Sequence, residues 1–251
     1  MLTSQRKAHI LGTLRREGRV VAKEMAASLE LSEDTIRRDL RELAAAGELQ
    51  RVHGGALPAS PAIATFTKRL GINSNGKVEI GRIAASMVRP NAIVMIDGGT
   101  TAIQMVRHLP KNLKATVITH SPSVAVELLE HSEIEVILIG GRLYKHSVVN
   151  VGATALAAIE QMRADIFFMG VTGVHAETGL TTGDFEEAAI KRAFSNAAAE
   201  TIVLASAEKI GAASPFQIIP LRAASIVITE PHLDPAVLRS LESSGVTVVT
   251  R

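Results

Sequence analysis

The chain has 251 residues, 47% of them hydrophobic, and a formal net charge of +2. That length can bury one large core, or one core and a small satellite domain. Because there is no cysteine, disulfides, thiolate nucleophiles and cysteine-ligated zinc are excluded. No apolar run approaches the roughly 20 residues of a membrane span, and charge at Arg6 and Lys7 interrupts any signal-peptide core. We therefore expect a globular, cytoplasmic protein with no membrane partner.

The small positive charge is concentrated at the N-terminal end. Residues 1–57 contain ten Lys or Arg and eight Asp or Glu, whereas residues 58–251 contain seventeen of each. The sequence ALPASPA at 56–62 places two prolines among small residues, which is typical of a linker. We predict an N-terminal domain over 1–57, a linker over 58–76 and a second domain over 77–251.

Three helices are predicted in the N-terminal domain. The first is expected to be capped by Thr3 or Ser4 and to end at Gly18, and the second covers about 22–29. The third begins at Ser32, a strong N-cap residue followed by two acids. A short turn joins the last two helices, so the pattern predicts a helix-turn-helix.

The third helix has one apolar face and one that suits DNA. Ile36, Leu40 and Leu43 share a side. The opposite side carries arginines, whose guanidinium groups suit phosphates and guanine edges. The predicted DNA contacts of this helix are Ser32, Asp34, Thr35, Arg37, Arg38 and Arg41. The alternative is that Glu33 and Asp34 merely form ion pairs with the arginines four residues later on a solvated helix.

A short strand, Leu49 to Val52, follows the third helix and leads into a glycine turn. Arg51 and His53 lie in this hairpin, which we interpret as a wing that contacts the DNA backbone. From Arg6 to Ala56 the sequence, above all SEDTIRRDL, resembles the winged helix-turn-helix head of the DeoR family of bacterial sugar-catabolism repressors. The resemblance implies double-stranded operator DNA as a partner.

The second domain alternates apolar runs with stretches long enough for helices. The runs are AIVMI, TVIT, EVILI, DIFFMGV, TIVLA, SIVIT and VTVVT. Such runs indicate strands covered on both faces, so we predict an α/β domain with a largely parallel sheet. In open sheets of this class, ligands bind beyond the carboxyl ends of the strands.

Polar or glycine-rich sequence follows four of these runs: DGGTT, THS, GGR and GVTGV. Glycines let a backbone approach a ligand closely, and a helix start offers unpaired N–H groups, so DGGTT suits an anion. The Walker lysine and the G-x-G-x-x-G spacing are both missing from the sequence, so a small phosphorylated ligand fits better than a nucleotide. The candidate ligand contacts at these ends are Asp97, Gly98, Gly99, Thr100, Thr101, His120, Ser121, Gly140, Gly141 and Thr172.

Two later stretches add candidates to the same site. GLTTGDFEEAAIKRAF leads from Thr181 into a helix on which Glu187 and Lys191 are four residues apart, and ASAEKIG places Lys209 beyond another strand. Each has an ordinary alternative: a surface ion pair for Glu187 and Lys191, and a solvated loop lysine for Lys209.

Residues 77–229 resemble the DeoR-type sensor domain through D-x-G-T-T, a paired glycine, G-L-T and the lysine on the following helix. The fold of that domain is related to ribose-5-phosphate isomerase, and the resemblance implies a sugar phosphate effector. Asp97 would then accept from a sugar hydroxyl, and Lys191 would oppose the phosphate charge. The sequence departs from the family pattern just before Lys209, because Ser206–Glu208 stand where relatives commonly have an aspartate and serines. The resemblance therefore implies less about the role of Lys209 than about the other residues.

An isomerase is the rival function. Those enzymes carry acids at the strand end that matches MGVTGV, where this chain has Met169, Thr172 and Gly173. Proton transfer between carbons needs a positioned carboxylate, so we expect binding without conversion and no catalytic residues. Asp97 and Glu187 remain as carboxylates and keep enzymatic activity open as an alternative. A scaffold whose head binds another protein is a third possibility.

The histidines are scattered without metal-ligand spacing, so no metal and no cofactor are expected. Winged heads commonly bind paired half-sites, which favours a homodimer or homotetramer. The sequence therefore predicts a DNA-binding transcriptional repressor of a carbohydrate uptake or catabolism operon, released from its operator by a phosphorylated sugar.

Overall fold

The computed structural model describes residues 2–60, 62, 64–231 and 233–250. The N-terminal part is a winged helix-turn-helix, as the sequence predicts. Its elements are α1 (Thr3–Glu17), β1 (Val20–Val21), α2 (Ala22–Ser28), α3 (Glu33–Ala45), β2 (Leu49–Val52) and β3 (Gly55–Pro58). The three strands form an antiparallel sheet in the order β1-β3-β2, and the β2–β3 hairpin is the wing.

The third helix is oriented as its apolar pattern predicts. Ile36, Leu40 and Leu43 are buried in the core of the head. Ser32 caps the helix, since its Oγ accepts a hydrogen bond from the Thr35 backbone N–H at 3.2 Å. That cap satisfies one of the N–H groups that a helix start leaves without a partner.

The first helix departs from its prediction at the N-terminus. Thr3 is already helical and Leu2 holds the cap position, so the expected side-chain cap at Thr3 or Ser4 is wrong. The helix is instead tied to α3 by a buried ion pair between Arg6 and Asp39, in which Nη2 and Oδ1 lie 3.0 Å apart. Such a pair fixes α1 against the recognition helix, and no periodic pattern in the sequence indicated it.

The larger part is an α/β domain. Its helices are α4 (Phe66–Leu70), α5 (Ser74–Ser86), α6 (Thr100–Arg107), α7 (Pro122–Glu127), α8 (Ala153–Glu160), α9 (Phe185–Ala197) and α10 (Pro235–Glu242). Its strands are β4 (Ile93–Ile96), β5 (Ala115–Thr119), β6 (Ile134–Leu138), β7 (Arg142–Tyr144), β8 (Val149–Val151), β9 (Ala164–Gly170), β10 (Gly173–His175), β11 (Gly179–Thr182), β12 (Ala198–Leu204), β13 (Phe216–Ile219), β14 (Ile226–Ile228) and β15 (Thr247–Val249).

All seven apolar runs of the sequence form strands of one sheet. Its order is β15-β14-β12-β9-β4-β5-β6, and every pair of neighbours is parallel. Consecutive residues point to opposite faces, so Phe167 packs in one core and Phe168 in the other, both fully buried. The predicted α/β fold with a parallel sheet covered on both faces is therefore confirmed.

The stretch at 58–76 that the sequence indicates as a linker is partly structured. Strand β3 runs through Pro58, α4 follows, and α5 begins at Ser74. Pro61 and Ile63 of this stretch lie outside the described residues. The domain limits at 57 and 77 stay a prediction.

Two small antiparallel arrangements complete the domain, the sheet β10-β11-β13 and the hairpin β7-β8. Among the helices in the described residues, none combines the length and the apolar character needed to cross a membrane.

Candidate effector site and nucleic-acid interface

The loop between β4 and α6 presents an open helix N-terminus. Gly99 holds the N-cap position at φ +117°, a conformation that favours glycine, and a Cβ on Gly98 would lie 2.2 Å from Val149 Cγ1. No side chain of the described residues caps the helix. The first intrahelical bond runs from Ile103 N to Gly99 O at 3.2 Å. Among the described residues, the N–H groups of Thr100, Thr101 and Ala102 have no acceptor, so they are available to an anion, which the helix dipole favours.

Asp97 lies beneath this loop with four protein donors around its carboxylate. Oδ1 accepts from Gly98 N at 2.7 Å and from His120 Nε2 at 2.8 Å. Oδ2 accepts from Gly170 N at 2.8 Å and from Lys191 Nζ. A carboxylate offers about four acceptor sites, so none is left for a sugar hydroxyl in this arrangement. In this arrangement Asp97 ties the loop to His120, β9 and α9, and its role as a ligand contact stays a prediction.

The charges around Asp97 keep it ionised. Burial raises the pKa of the Asp97 carboxyl, but the Lys191 ammonium and the hydrogen bond from His120 outweigh burial and hold the pKa below its ordinary value. His120 is itself fully buried, and its Nδ1 lies 2.8 Å from the Asn150 carbonyl oxygen. His120 therefore links Asp97 to the backbone at Asn150.

Lys191 and Glu187 form a buried pair on α9. Lys191 is 3% exposed, and its Nζ lies 3.3 Å from Glu187 Oε1 and 3.0 Å from the Gly170 carbonyl oxygen. Burial lowers the pKa of Lys191, but Asp97 and Glu187 together outweigh burial and raise it. The alternative of a solvated surface ion pair is therefore wrong. Both side chains line the cavity beside the loop.

The cavity has a volume of about 30 Å³, which is the scale of one or two water molecules. The candidates from the sequence that line it are Gly98, Gly99, Thr100, Thr101, Thr172, Glu187, Lys191 and Lys209. Its wall also contains polar residues that the sequence reasoning left out of the site, namely Arg69, Lys77, Ser147, Thr182 and Glu208.

Six candidates do not line the cavity: Asp97 and His120, which lie beneath the loop, and Ser121, Gly140, Gly141 and Thr181. Ser121 caps α7, and its Oγ also donates to the Val148 carbonyl oxygen at 3.2 Å. Gly140 and Gly141 are exposed beyond β6. Thr181 is buried next to the site, where its Oγ1 accepts from Ser214 N at 3.0 Å. Ser121 and Thr181 therefore bind neighbouring backbone, and Gly140 and Gly141 lie at the surface.

Lys209 faces the cavity from a short 3-10 turn after β12. It is 7% exposed, so the alternative of a solvated loop lysine is wrong. Burial lowers the pKa of its ammonium to about 8, with Lys77, Arg69 and Lys191 acting in the same direction against Glu208. Glu208 turns towards Ser206, whose Oγ donates to Oε1 at 2.6 Å.

The head presents its predicted DNA contacts to solvent. Arg38 and Arg41 are exposed on α3, and among the described residues neither forms an ion pair. Of the two pairs in the alternative interpretation only one is found, between Arg37 Nη2 and Glu33 Oε1 at 2.7 Å.

Arg51 and His53 of the wing are also exposed. Together with Arg37 they line a groove between α3 and the wing. The remaining predicted contacts, Ser32, Asp34 and Thr35, lie at the start of the same helix. Within the ranges that the structure describes, no group of three or more His, Asp or Glu side chains is placed to hold a metal ion.

Comparison with known protein families assigns both parts of the chain. Residues 6–61 match the DeoR-like helix-turn-helix domain, and residues 72–231 match the DeoR C terminal sensor domain. The two together define a regulator in which a DNA-binding head is joined to a sensor. The chain belongs to the DeoR family of transcriptional regulators.

Full-length relatives agree with this assignment. The HTH-type transcriptional regulator GlpR of Haloferax volcanii is 35% identical over 99% of this chain and 98% of its own length. The glycerol-3-phosphate regulon repressor of Escherichia coli is 29% identical over 84% of each chain. These relatives are named as regulators, and the expectation that the chain is not an enzyme is confirmed.

Among solved structures, ribose 5-phosphate isomerase A of Methanocaldococcus jannaschii aligns with a TM-score of 0.41 and 19% identity. The alignment covers 55% of this chain and 54% of that one.

Proposed function

We propose that the protein is a transcriptional repressor of a carbohydrate uptake or catabolism operon, released from its operator by a phosphorylated sugar. The observation that carries the proposal is the uncapped N-terminus of α6, which faces a cavity lined by Arg69, Lys77, Lys191 and Lys209. A helix N-terminus and a cluster of cations both favour a phosphate, and no acid lies in the first turn of α6. The Escherichia coli relative is named for the regulon of a phosphorylated compound, glycerol 3-phosphate, which supports an effector of this class.

In this proposal the loop at 98–101 binds the phosphate. Its oxygens accept from the first N–H groups of α6 and from the hydroxyls of Thr100 and Thr101, while the cationic wall neutralises the charge. Glu187 offers carboxylate oxygens to the sugar hydroxyls. Asp97 acts indirectly, because it holds the Lys191 ammonium in place.

The DNA side of the proposal rests on the exposed arginines of α3. A recognition helix contacts base edges with residues near its start, which is where Asp34 and Thr35 lie. Arg38 and Arg41 follow on the same outward face, and Arg51 and His53 reach the backbone from the wing. Because a single small head reads few bases, we propose a homodimer or homotetramer on paired half-sites.

The two carboxylates that left the isomerase alternative open are both paired with a lysine in the described residues. They are Asp97 and Glu187, and both contact Lys191. A general base must reach the proton that it abstracts. Both carboxylates are instead engaged in holding a lysine.

A thermal-shift screen tests the effector class. Sugars are compared as matched pairs with and without a phosphate, because a compound that binds only the folded state raises its stability. We expect at least one phosphorylated sugar to raise the melting temperature while its unphosphorylated partner leaves it unchanged. Stabilisation by unphosphorylated sugars alone would refute the proposed effector class.

A further inference from the structure

The guanidinium of Arg69, a half-buried residue, has buried donors that the described residues do not satisfy. Its Nε and Nη2 atoms are buried, and neither has a hydrogen-bond partner among the described residues. A guanidinium stays charged in proteins, so it cannot relieve this cost by losing its proton. A buried charged donor without an acceptor is strongly unfavourable. Because Arg69 lines the cavity beside α6, an anion in that cavity would supply the missing acceptor.

We propose that Arg69 binds the phosphoryl group of the effector from the linker side, together with Lys209, and that this contact couples the effector to the DNA-binding head. The inference rests on the proposed function, since it takes a phosphorylated ligand as given. It adds a ligand residue that lies outside the strand ends and assigns it a regulatory role.

The other two cations of the cavity already have partners. Lys77 Nζ donates to the Arg69 carbonyl oxygen at 2.6 Å and to the Ile72 carbonyl oxygen. Lys191 is paired with Asp97 and Glu187. Arg69 and Lys209 are thus the cations of the wall whose charge is best available to a phosphate.

The helix that carries Arg69 is only lightly attached to the domain. None of the residues of α4, Phe66–Leu70, is fully buried. Phe66 N donates a hydrogen bond to the His146 carbonyl oxygen at 2.9 Å, and Lys77 Nζ donates to the Arg69 carbonyl oxygen at the C-terminal end of the helix. Phe66 packs, partly buried, against the core, and an element without fully buried residues moves at low free-energy cost. Movement of α4 can therefore widen the cavity that Arg69 lines.

Both proposed phosphate ligands lie on segments that meet the end of the wing. Strand β3 ends at Pro58, and α4 begins at Phe66. On the other side, Ala213 N donates to the Pro58 carbonyl oxygen at 3.3 Å, four residues after Lys209. A phosphate that draws Arg69 and Lys209 together changes both connections at once. A ligand shifts an equilibrium only through such differential contacts.

The test replaces Arg69 by methionine in the full chain, which keeps an apolar stem and removes the charge. Lys68→Met is the matched control, because Lys68 is the exposed neighbour on the same helix. The probes are inorganic phosphate, glycerol 3-phosphate and hexose 6-phosphates, titrated calorimetrically at constant ionic strength. DNA binding is followed by fluorescence anisotropy on a duplex that the wild-type protein selects from a random pool.

We expect R69M to melt no lower than wild type without ligand, because an unsatisfied buried charge is gone. Its affinity for the probe that binds wild type should fall roughly ten- to a hundredfold, which corresponds to one charge-assisted hydrogen bond. Its DNA affinity without probe should be unchanged, and probe at wild-type saturating concentration should no longer release the DNA. K68M should match wild type in all three measurements.

Three outcomes of this experiment would each overturn a different part of the proposal. If R69M melts lower and binds the probe as tightly as wild type, Arg69 is structural and the inference is overturned. If R69M binds more weakly but saturating probe still releases DNA as in wild type, the coupling role is overturned. If wild type binds none of the phosphorylated probes, the proposed function fails and the inference fails with it.

Discussion

The Lys191 ammonium donates to the Asp97 carboxylate across 94 positions of the chain, and both side chains are buried. The pair joins the end of β4 to helix α9, and Gly170 N adds the end of β9 through the same carboxylate oxygen. Three neighbouring elements are thereby fixed around the loop that opens α6. The shape of the candidate phosphate site depends on this pair.

Replacing Asp97 by asparagine should destabilise the protein. Removing one partner of a buried ion pair typically costs about 3–5 kcal/mol, because the other charge is left uncompensated. We expect a loss of this size in the free energy of unfolding, measured by urea denaturation at pH 7. Glu160→Gln, an exposed site on α8, should change the value by no more than about 0.5 kcal/mol.

The effect of Asp97→Asn should also depend on pH. The folded pKa of Asp97 lies below its unfolded value, so the ionised carboxyl stabilises the fold above about pH 4, the ordinary aspartate pKa. That contribution is lost as the pH falls through the folded pKa. The stability difference between wild type and D97N should therefore narrow below about pH 4, and a difference that is constant from pH 7 to pH 3 would contradict this assignment.

Lys209 should make phosphate binding sensitive to alkaline pH. Burial lowers its pKa to about 8, so the ammonium is lost as the pH rises through that value and the affinity for a phosphorylated probe should fall. Calorimetry from pH 7 to pH 9.5 measures this fall, and Lys209→Met should bind weakly with a nearly flat profile. Equal slopes in wild type and K209M would show that another group titrates.

The lowered pKa of Lys209 should make folding stability rise with pH, whereas phosphate affinity should fall. Between about pH 8 and pH 10.4, the ordinary lysine value, the unfolded chain binds more protons at this position than the folded chain. The contribution of Lys209 to the free energy of unfolding should therefore rise with pH across that window and should be missing in K209M.

Arg38 and Arg41 should determine DNA affinity. A base-contacting arginine should cost about 1–3 kcal/mol when truncated and relax specificity at one position, whereas a phosphate contact should reduce the salt slope by about one. Gel-shift titrations of Arg38→Ala and Arg41→Ala over a range of salt concentrations separate these outcomes.

A matched control for the arginine variants is Arg89→Ala, which removes one exposed charge from the larger domain. It should leave both the affinity and the salt slope unchanged. Full DNA affinity in the Arg38→Ala, Arg41→Ala double variant would refute the assignment of the recognition face.

Sedimentation should show a dimer or tetramer at micromolar concentration. Two half-sites one helical turn apart need two heads, and one head alone offers limited base readout. A monomer, both with and without a phosphorylated sugar, would contradict the proposed assembly.

The sheet was predictable because its central strands are largely buried and all seven strands appear as apolar runs, although the edge strands β6 and β15 are partly exposed. The recognition helix was predictable from its cap and apolar stripe. Because β4 and β9 are parallel neighbours, their carboxyl ends lie side by side at one edge of the sheet.

Other features carry no such local signal. Arg69 acts from a five-residue helix in a segment whose prolines indicate a linker, and its importance comes from contacts made across the fold. The pairing of Arg6 with Asp39 likewise depends on how α1 lies against α3. A local signal can also mislead. Gly140 and Gly141 follow a strand in a glycine-rich sequence, but they are exposed and do not line the cavity.

The most direct test of the central claim is a release titration with the full chain. A fluorescent duplex selected by the wild-type protein is held in complex, and matched phosphorylated and unphosphorylated sugars are added at constant ionic strength while anisotropy is recorded. We expect at least one phosphorylated sugar to lower the DNA affinity about tenfold or more, a typical coupling between two sites, and its unphosphorylated partner to leave the affinity unchanged. The proposed function would be wrong if the phosphorylated sugar that binds the protein left the DNA affinity unchanged, or if the unphosphorylated partner released the DNA equally well.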